Sequence, residues 1–189
     1  MIVDMALSDE EKKLLLRIAR ETLEFYIRYK KVPPFDVSSP GLLEKRGAFV
    51  SLHKEGELRG CIGVFTSASD KPLYLTVLDM AIAASTQDPR FLPVGVDELP
   101  FIGIEISALT PLKRINDISE IEVGRHGIYI VKGLYRGVLL PQVATEYGWD
   151  RETFLDHTCL KAGLPPDSWK GDVEIYTFEA EVFGELPSS

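Results

Sequence analysis

Two cysteines in 189 residues, Cys61 and Cys159, are too few and too far apart for a disulfide framework or a CxxC metal or redox motif. No run of 18 apolar residues is present, so no transmembrane helix is expected. The N-terminus has no basic segment followed by an apolar stretch, so no signal peptide is expected either. With thiols that suit a reducing compartment, these absences place the chain in the cytoplasm. Basic residues are the minority: 21 Lys and Arg against 29 Asp and Glu give a net charge of −8 and a pI near 5.0. With no basic cluster, binding to nucleic acid or to an anionic membrane is disfavoured. P-loop, GxGxxG, GxSxG and HExxH motifs are all missing, so no cofactor and no metal is implied.

What remains is an ordinary globular composition, 45% hydrophobic and 26% charged. A chain of this length buries about 70% of its unfolded surface and suits one domain or two small subdomains. Ser8 and Glu11 form a capping box that opens a helix over 8–31, stopped by Pro33-Pro34. Helices are also expected over 71–85, with Pro72 in the first turn, over 141–147, and over 151–162 with Asp150 as cap. Cys159 lies on the apolar face of the last of these, with Phe154, Leu155 and Ala162, and should be buried. Six strands are expected at 48–53, 58–65, 101–109, 127–132, 135–140 and 173–183. Alternation and hairpin spacing favour an α+β fold with antiparallel sheets over a βαβ series. The tail, residues 185–189, should be frayed.

The candidate chemistry centres on Leu58-Arg59-Gly60-Cys61-Ile62-Gly63. A two-residue turn at Glu55-Gly56 makes residues 48–65 a hairpin, with Leu52 facing Arg59, Val50 facing Cys61 and Ala48 facing Gly63. Arg59 and Cys61 then share a face about 6.5–7 Å apart at Cα, where a guanidinium favours a thiolate. Gly60 and Gly63 suggest a bulge or the close approach of a backbone or ligand. The alternative is a buried structural cysteine. Glu105, in the middle of a strand, is a candidate general base. His126 is another, although a histidine before a strand also suits a turn residue bonding its own backbone. Asp88 and Arg90, beside Phe91, either pair with each other or form part of a pocket rim.

Several segments occur in order: Leu-Arg-Gly-Cys-Ile-Gly at 58–63, Asp-Pro-Arg-Phe at 88–91, Glu-Ile-Ser-Ala-Leu-Thr-Pro at 105–111, Gly-Arg-His-Gly-Ile at 124–128, Leu-Pro-Gln-Val-Ala at 140–144 and Gly-Trp at 148–149. Together they resemble the AMMECR domain family over nearly the whole chain, in its stand-alone, archaeal-like form. The resemblance implies an α+β fold with two unequal subdomains, the larger holding both termini. It also implies a ligand, active or partner-binding site at Arg59, Gly60, Cys61 and Gly63, and a three-part prokaryotic system with a Memo-like protein and a radical SAM enzyme as partners. It supplies no settled reaction. Two readings follow: chemistry based on Cys61, with Arg59 and His126 or Glu105, or a docking module that uses the same hairpin. A concave pocket lined by Arg59 and a base favours the first, and a flat apolar patch the second.

Overall fold

The computed structural model describes residues 6–185. The chain forms two compact units: one runs to Thr110 and resumes at Glu181, and the smaller one spans Pro111–Ala180.

In the first unit, the Ser8–Glu11 capping box starts α1 (Asp9–Tyr29): Glu11 N–H donates to Ser8 Oγ at 3.1 Å, and Ser8 N–H to the Glu11 carboxylate at 3.0 Å. The helix stops two residues earlier than expected because Lys30 turns left-handed, with φ of 57°, and bonds back to Tyr26. A short helix α2 (Pro40–Leu43) precedes the hairpin β1 (Ala48–Lys54) and β2 (Glu57–Val64). Helix α3 (Leu73–Thr86) has Pro72 as its N-cap rather than inside its first turn. Strand β3 (Ile102–Leu109) returns antiparallel to β1. Leu15, Ala19 and Leu23 of α1 and Val77, Ala81 and Ala84 of α3 share a core with Ala48, Val50, Leu52, Ile104 and Ile106 of the sheet. Both helices therefore cover one sheet face, and the alternate residues of β1 and β3 point away from them.

The second unit contains β4 (Lys113–Ile115), the hairpin β5 (Gly127–Lys132) and β6 (Tyr135–Leu139), helices α4 (Pro141–Tyr147) and α5 (Arg151–Lys161), and β7 (Glu174–Phe178). Its core joins Ile128, Ile130 and Ile175 to Phe154, Leu155 and Cys159. The expected last strand is in fact two, β7 and β8 (Ala180–Gly184), which belong to different sheets. No turn residue marks the break at Glu179, so the apolar run reads through it. Strand β4 was not expected either, since three residues are too few to show alternation. Of the expected frayed tail, Glu185 is anchored: its carboxylate accepts from Arg20 at 2.6 and 2.9 Å and from Ile104 N–H at 2.8 Å. Residues 186–189 lie outside the described residues.

The sheet orders are β2-β1-β3-β8 and β4-β7-β5-β6, and every register described is antiparallel. Read from the hairpin edge, each unit is a hairpin, a helical crossover and a third strand laid against the hairpin's first strand. Each takes as its fourth strand the one that follows the third strand of the other unit. The edge-strand glycines correspond as well. A Cβ on Gly60 would lie 2.1 Å from the Ala84 carbonyl oxygen at the end of α3, and one on Gly137 2.4 Å from the Ala162 nitrogen after α5.

Candidate functional site

The β1–β2 turn forms where expected, with Glu55 (φ 53°) and Gly56 (φ 80°) both left-handed, as a type I′ turn needs. The register then departs from expectation. Lys54 pairs with Glu57 and His53 with Leu58, but Leu52 pairs with Gly60, leaving Arg59 as a bulge. Cys61 therefore stands opposite Ser51, not Val50, and Gly63 opposite Phe49, not Ala48. A one-residue slip exchanges the two faces of a strand. The expected register would have put Arg59 and Cys61 on the face of Val50 and Leu52, under the helices. The bulge puts Gly60 and Ile62 there instead, the one small enough to pass beneath Ala84 and the other able to join the core.

Arg59 is not directed at Cys61. Its Nε and Nη2 donate to the two Glu98 oxygens at 3.0 and 3.1 Å, and its guanidinium lies 6.0 Å from the centre of the Phe91 ring. Glu98 also accepts from Lys54 at 3.0 Å and from Gly95 N–H at 2.8 Å. Arg59 first, then the Gly95 amide, bring its pKa down to about 2.

The Asp-Pro-Arg-Phe turn closes the outer edge of β2. Asp88 is 4% exposed, and its carboxylate accepts from Cys61 N–H at 3.0 Å, from Arg90 N–H at 3.1 Å and from the Arg90 guanidinium at 2.8 and 3.0 Å. Arg90 lies over the Phe91 ring at 5.3 Å, with Nη2 3.5 Å from the Cys61 carbonyl oxygen. A free strand edge invites pairing with another chain, and here the turn occupies it. Arg90 first, then the Cys61 amide, hold the Asp88 carboxyl far below the usual carboxylate range.

These two depressed carboxylates set a pH dependence. When folded pKa values lie below unfolded ones, the unfolded chain binds more protons in the window between them. Their contribution should be complete above about pH 4.5 and should drain away as pH falls toward about 2. Melting temperature measured from pH 6 to pH 2 should fall over that window. The fall should be shallower in Asp88→Asn and Glu98→Gln, each of which starts from a lower plateau. A wild-type slope retained in both variants would contradict the assignment.

Cys61 itself is half-buried on the sheet face away from the helices, and Ser51 Oγ donates to its Sγ at 3.2 Å. Ser51 is paired on its other side with Glu105, which is exposed. Cys61, Ser51 and Glu105 thus form one row across β2, β1 and β3. Gly63 lies under the Phe49 ring, where its Cβ would come within 2.1 Å, so packing accounts for both signature glycines. His126 belongs to the second unit. Its Nδ1 accepts from Glu122 N–H at 2.9 Å and its own N–H donates to the Glu122 carbonyl at 3.0 Å, the turn-residue reading. Burial first, then Arg125, push its pKa down. Among the described residues, no three His, Cys, Asp or Glu side chains are grouped as a metal site.

Ser51, His53 and Glu98 did not stand out in the sequence. The first two could have been found, because the apolar alternation of Ala48, Val50 and Leu52 turns Ser51 and His53 to the opposite face. Nothing local to Glu98 announces its pairing with Arg59, 39 residues away.

Known proteins are similar to this chain in sequence and in fold. The AMMECR1 family model matches residues 16–183, and the chain belongs to that family. A protein from Methanosarcina barkeri is 45% identical over 188 residues, covering 95% of this chain and 92% of the relative. The protein MJ0810 from Methanocaldococcus jannaschii is 46% identical, covering 94% and 91%. The crystal structure of the uncharacterized protein PH0010 from Pyrococcus horikoshii is 41% identical, with a TM-score of 0.76 over 95% of this chain and 93% of that one.

Proposed function

We propose that the signature hairpin carries a thiol-based site in which Cys61 is the reacting or ligand-contacting residue. The supporting observation is the 3.2 Å contact from Ser51 Oγ to Cys61 Sγ on an open sheet face, with Glu105 next in the row. Of the other signature residues, Arg59 is taken by Glu98, Gly60 by α3, Ile62 by the core and Gly63 by Phe49, and Leu58 is exposed. The thiolate is the nucleophilic form of cysteine, and the Ser51 hydroxyl is placed to donate to it. The reading assumes a reducing compartment, the cytoplasm, in keeping with two free thiols. On the family resemblance alone, its partners are a Memo-like protein and a radical SAM enzyme.

The test is alkylation of the folded protein by iodoacetamide, followed by peptide mass mapping. Cys61 should label in the native state, more slowly in Ser51→Ala. Cys159 is fully buried, and burial pushes its thiol up, so it should label only on unfolding. Protection of Cys61 until the chain unfolds would remove the nucleophile and the proposal with it.

One observation favours docking as a second reading. Leu92 and Phe101, 83% and 64% exposed, lie in the segment that supplies Pro93 and Glu98 to Arg59, and Leu58 and Val96 are exposed beside them. Exposed apolar side chains of this size suit a protein partner. Loss of binding to the Memo-like or radical SAM protein in Leu92→Asp, with Cys61→Ala binding normally, would favour docking over chemistry.

A further inference from the structure

The outer face of the first sheet carries a histidine that the signature does not include. His53 follows Ser51 on the same face of β1, one pleat along. Cys61, opposite Ser51, is therefore its diagonal neighbour on β2, at a Cα separation of about 7–8 Å, within reach of a ring. The bulge at Arg59 is what brings the sulfur to this face.

The row of His53 offers no competing polar group. Its pairing partners are Leu58 on β2 and Gly103 on β3, and no hydrogen bond or ion pair of its side chain is seen among the described residues. A Cβ built on Gly103 would meet nothing within 4 Å, so the space beside the ring is open. The ionisable groups diagonal to His53 are Cys61 on β2 and Glu105 on β3, both paired with Ser51; Arg59, the bulge residue after Leu58, is held by Glu98, and Arg90 reaches the Cys61 carbonyl.

The second unit acts as an internal control. Matching Gly137 to Gly60 aligns Val138 with Cys61, Tyr129 with Ser51, Val131 with His53 and Tyr176 with Glu105. The shared hairpin and helix approach therefore do not require these four polar residues. They occur together in one unit only, which is what a site, rather than a folding requirement, predicts.

The geometry points to His53 as the general base for Cys61, in the place sequence reading gave to His126; this rests on the thiol-based site proposed above. The His53 imidazole takes the proton from Sγ, Ser51 donates to the resulting thiolate, and Glu105, opposite Ser51, lies diagonal to the histidine on β3. In the reaction with iodoacetamide the sulfur forms a bond to carbon, iodide leaves with the electron pair of the broken bond, and the proton stays on His53 until water removes it.

The test is the pH profile of Cys61 alkylation in wild type, His53→Gln, His53→Asn and His126→Gln, each checked for an unchanged melting temperature. Wild type and His126→Gln should react alike across the profile. Both His53 variants should react at least about tenfold more slowly at about pH 6.5, the loss of a general base. A reactive Cys61 whose profile is the same in all four proteins overturns the role of His53 and leaves the thiol site standing. A Cys61 that does not label in folded wild type overturns both.

Discussion

Gly60→Ala should lower the stability of this protein by about 3 kcal/mol, at the upper end of the range for overpacking a filled site. The added Cβ would lie 2.1 Å from the Ala84 carbonyl oxygen, and backbone stands on both sides of that contact. A strand and a helix must separate to admit it, where a side chain could have rotated away. The corresponding fall in melting temperature is about 6–12 °C for a chain of this size. Gly63→Ala gives the contrast. Its Cβ meets the Phe49 ring, which is half-buried on the outer face and can swing, so about 1 kcal/mol is expected. Gly137→Ala in the second unit should resemble Gly60→Ala, because its obstruction is again backbone, at Ala162. Chemical denaturation of the three variants gives the order. Equal costs for Gly60→Ala and Gly63→Ala would mean that α3 yields more easily than its packing indicates, and would reopen the reading of Gly60 as a position kept small for a ligand.

Local signals carried most of the elements. The Ser8–Glu11 box, the Asp150 cap, the left-handed Gly148 and the Glu55-Gly56 turn are each settled by a few neighbouring residues, and each was readable. What the sequence concealed depends on contacts distant along the chain. The Arg59 bulge exists because Gly60 must pass under Ala84, a contact 24 positions away that no alternation pattern contains. That single residue decided which face Cys61 occupies, and so changed its neighbours from Arg59 and Val50 to Ser51 and His53. The break at Glu179 was equally hidden, since β7 and β8 are separated by the sheets they join and not by composition. Asp88 and Arg90 illustrate both cases: their mutual pairing is local and was one of the two readings the sequence offered, whereas their grip on the edge of β2 was not among them.

Glu181→Ala should cost as much as Gly60→Ala, by a different mechanism. Arg46 is fully buried just ahead of β1, its Nε donating to the Leu109 carbonyl at 2.6 Å and its Nη2 to Glu181 at 3.0 Å. The other Glu181 oxygen accepts from Leu7 N–H at 3.0 Å, so one carboxylate ties the approach to α1, the approach to β1 and strand β8 together. Taking it away removes one ion-pair partner from a guanidinium that is fully buried. Breaking a buried pair from one side costs about 3–5 kcal/mol, and the retained Leu109 carbonyl argues for the lower figure. A melting temperature lower by about 6–12 °C follows, measurable by calorimetry. High salt should leave the difference nearly unchanged, because a buried pair is poorly screened. The double replacement Arg46→Met with Glu181→Leu should recover most of the loss, since a buried ion pair replaced by apolar side chains of similar volume is often neutral. Recovery would show that the cost of the single change lies in the broken Arg46–Glu181 ion pair. Failure of the double variant to recover would instead make the hydrogen bonds to Leu109 and Leu7 what holds β8 in the sheet. Native-state labelling of Cys61 at 25 °C should be unaltered in Glu181→Ala, because the row of Cys61, Ser51 and Glu105 draws on β2, β1 and β3 and takes nothing from β8.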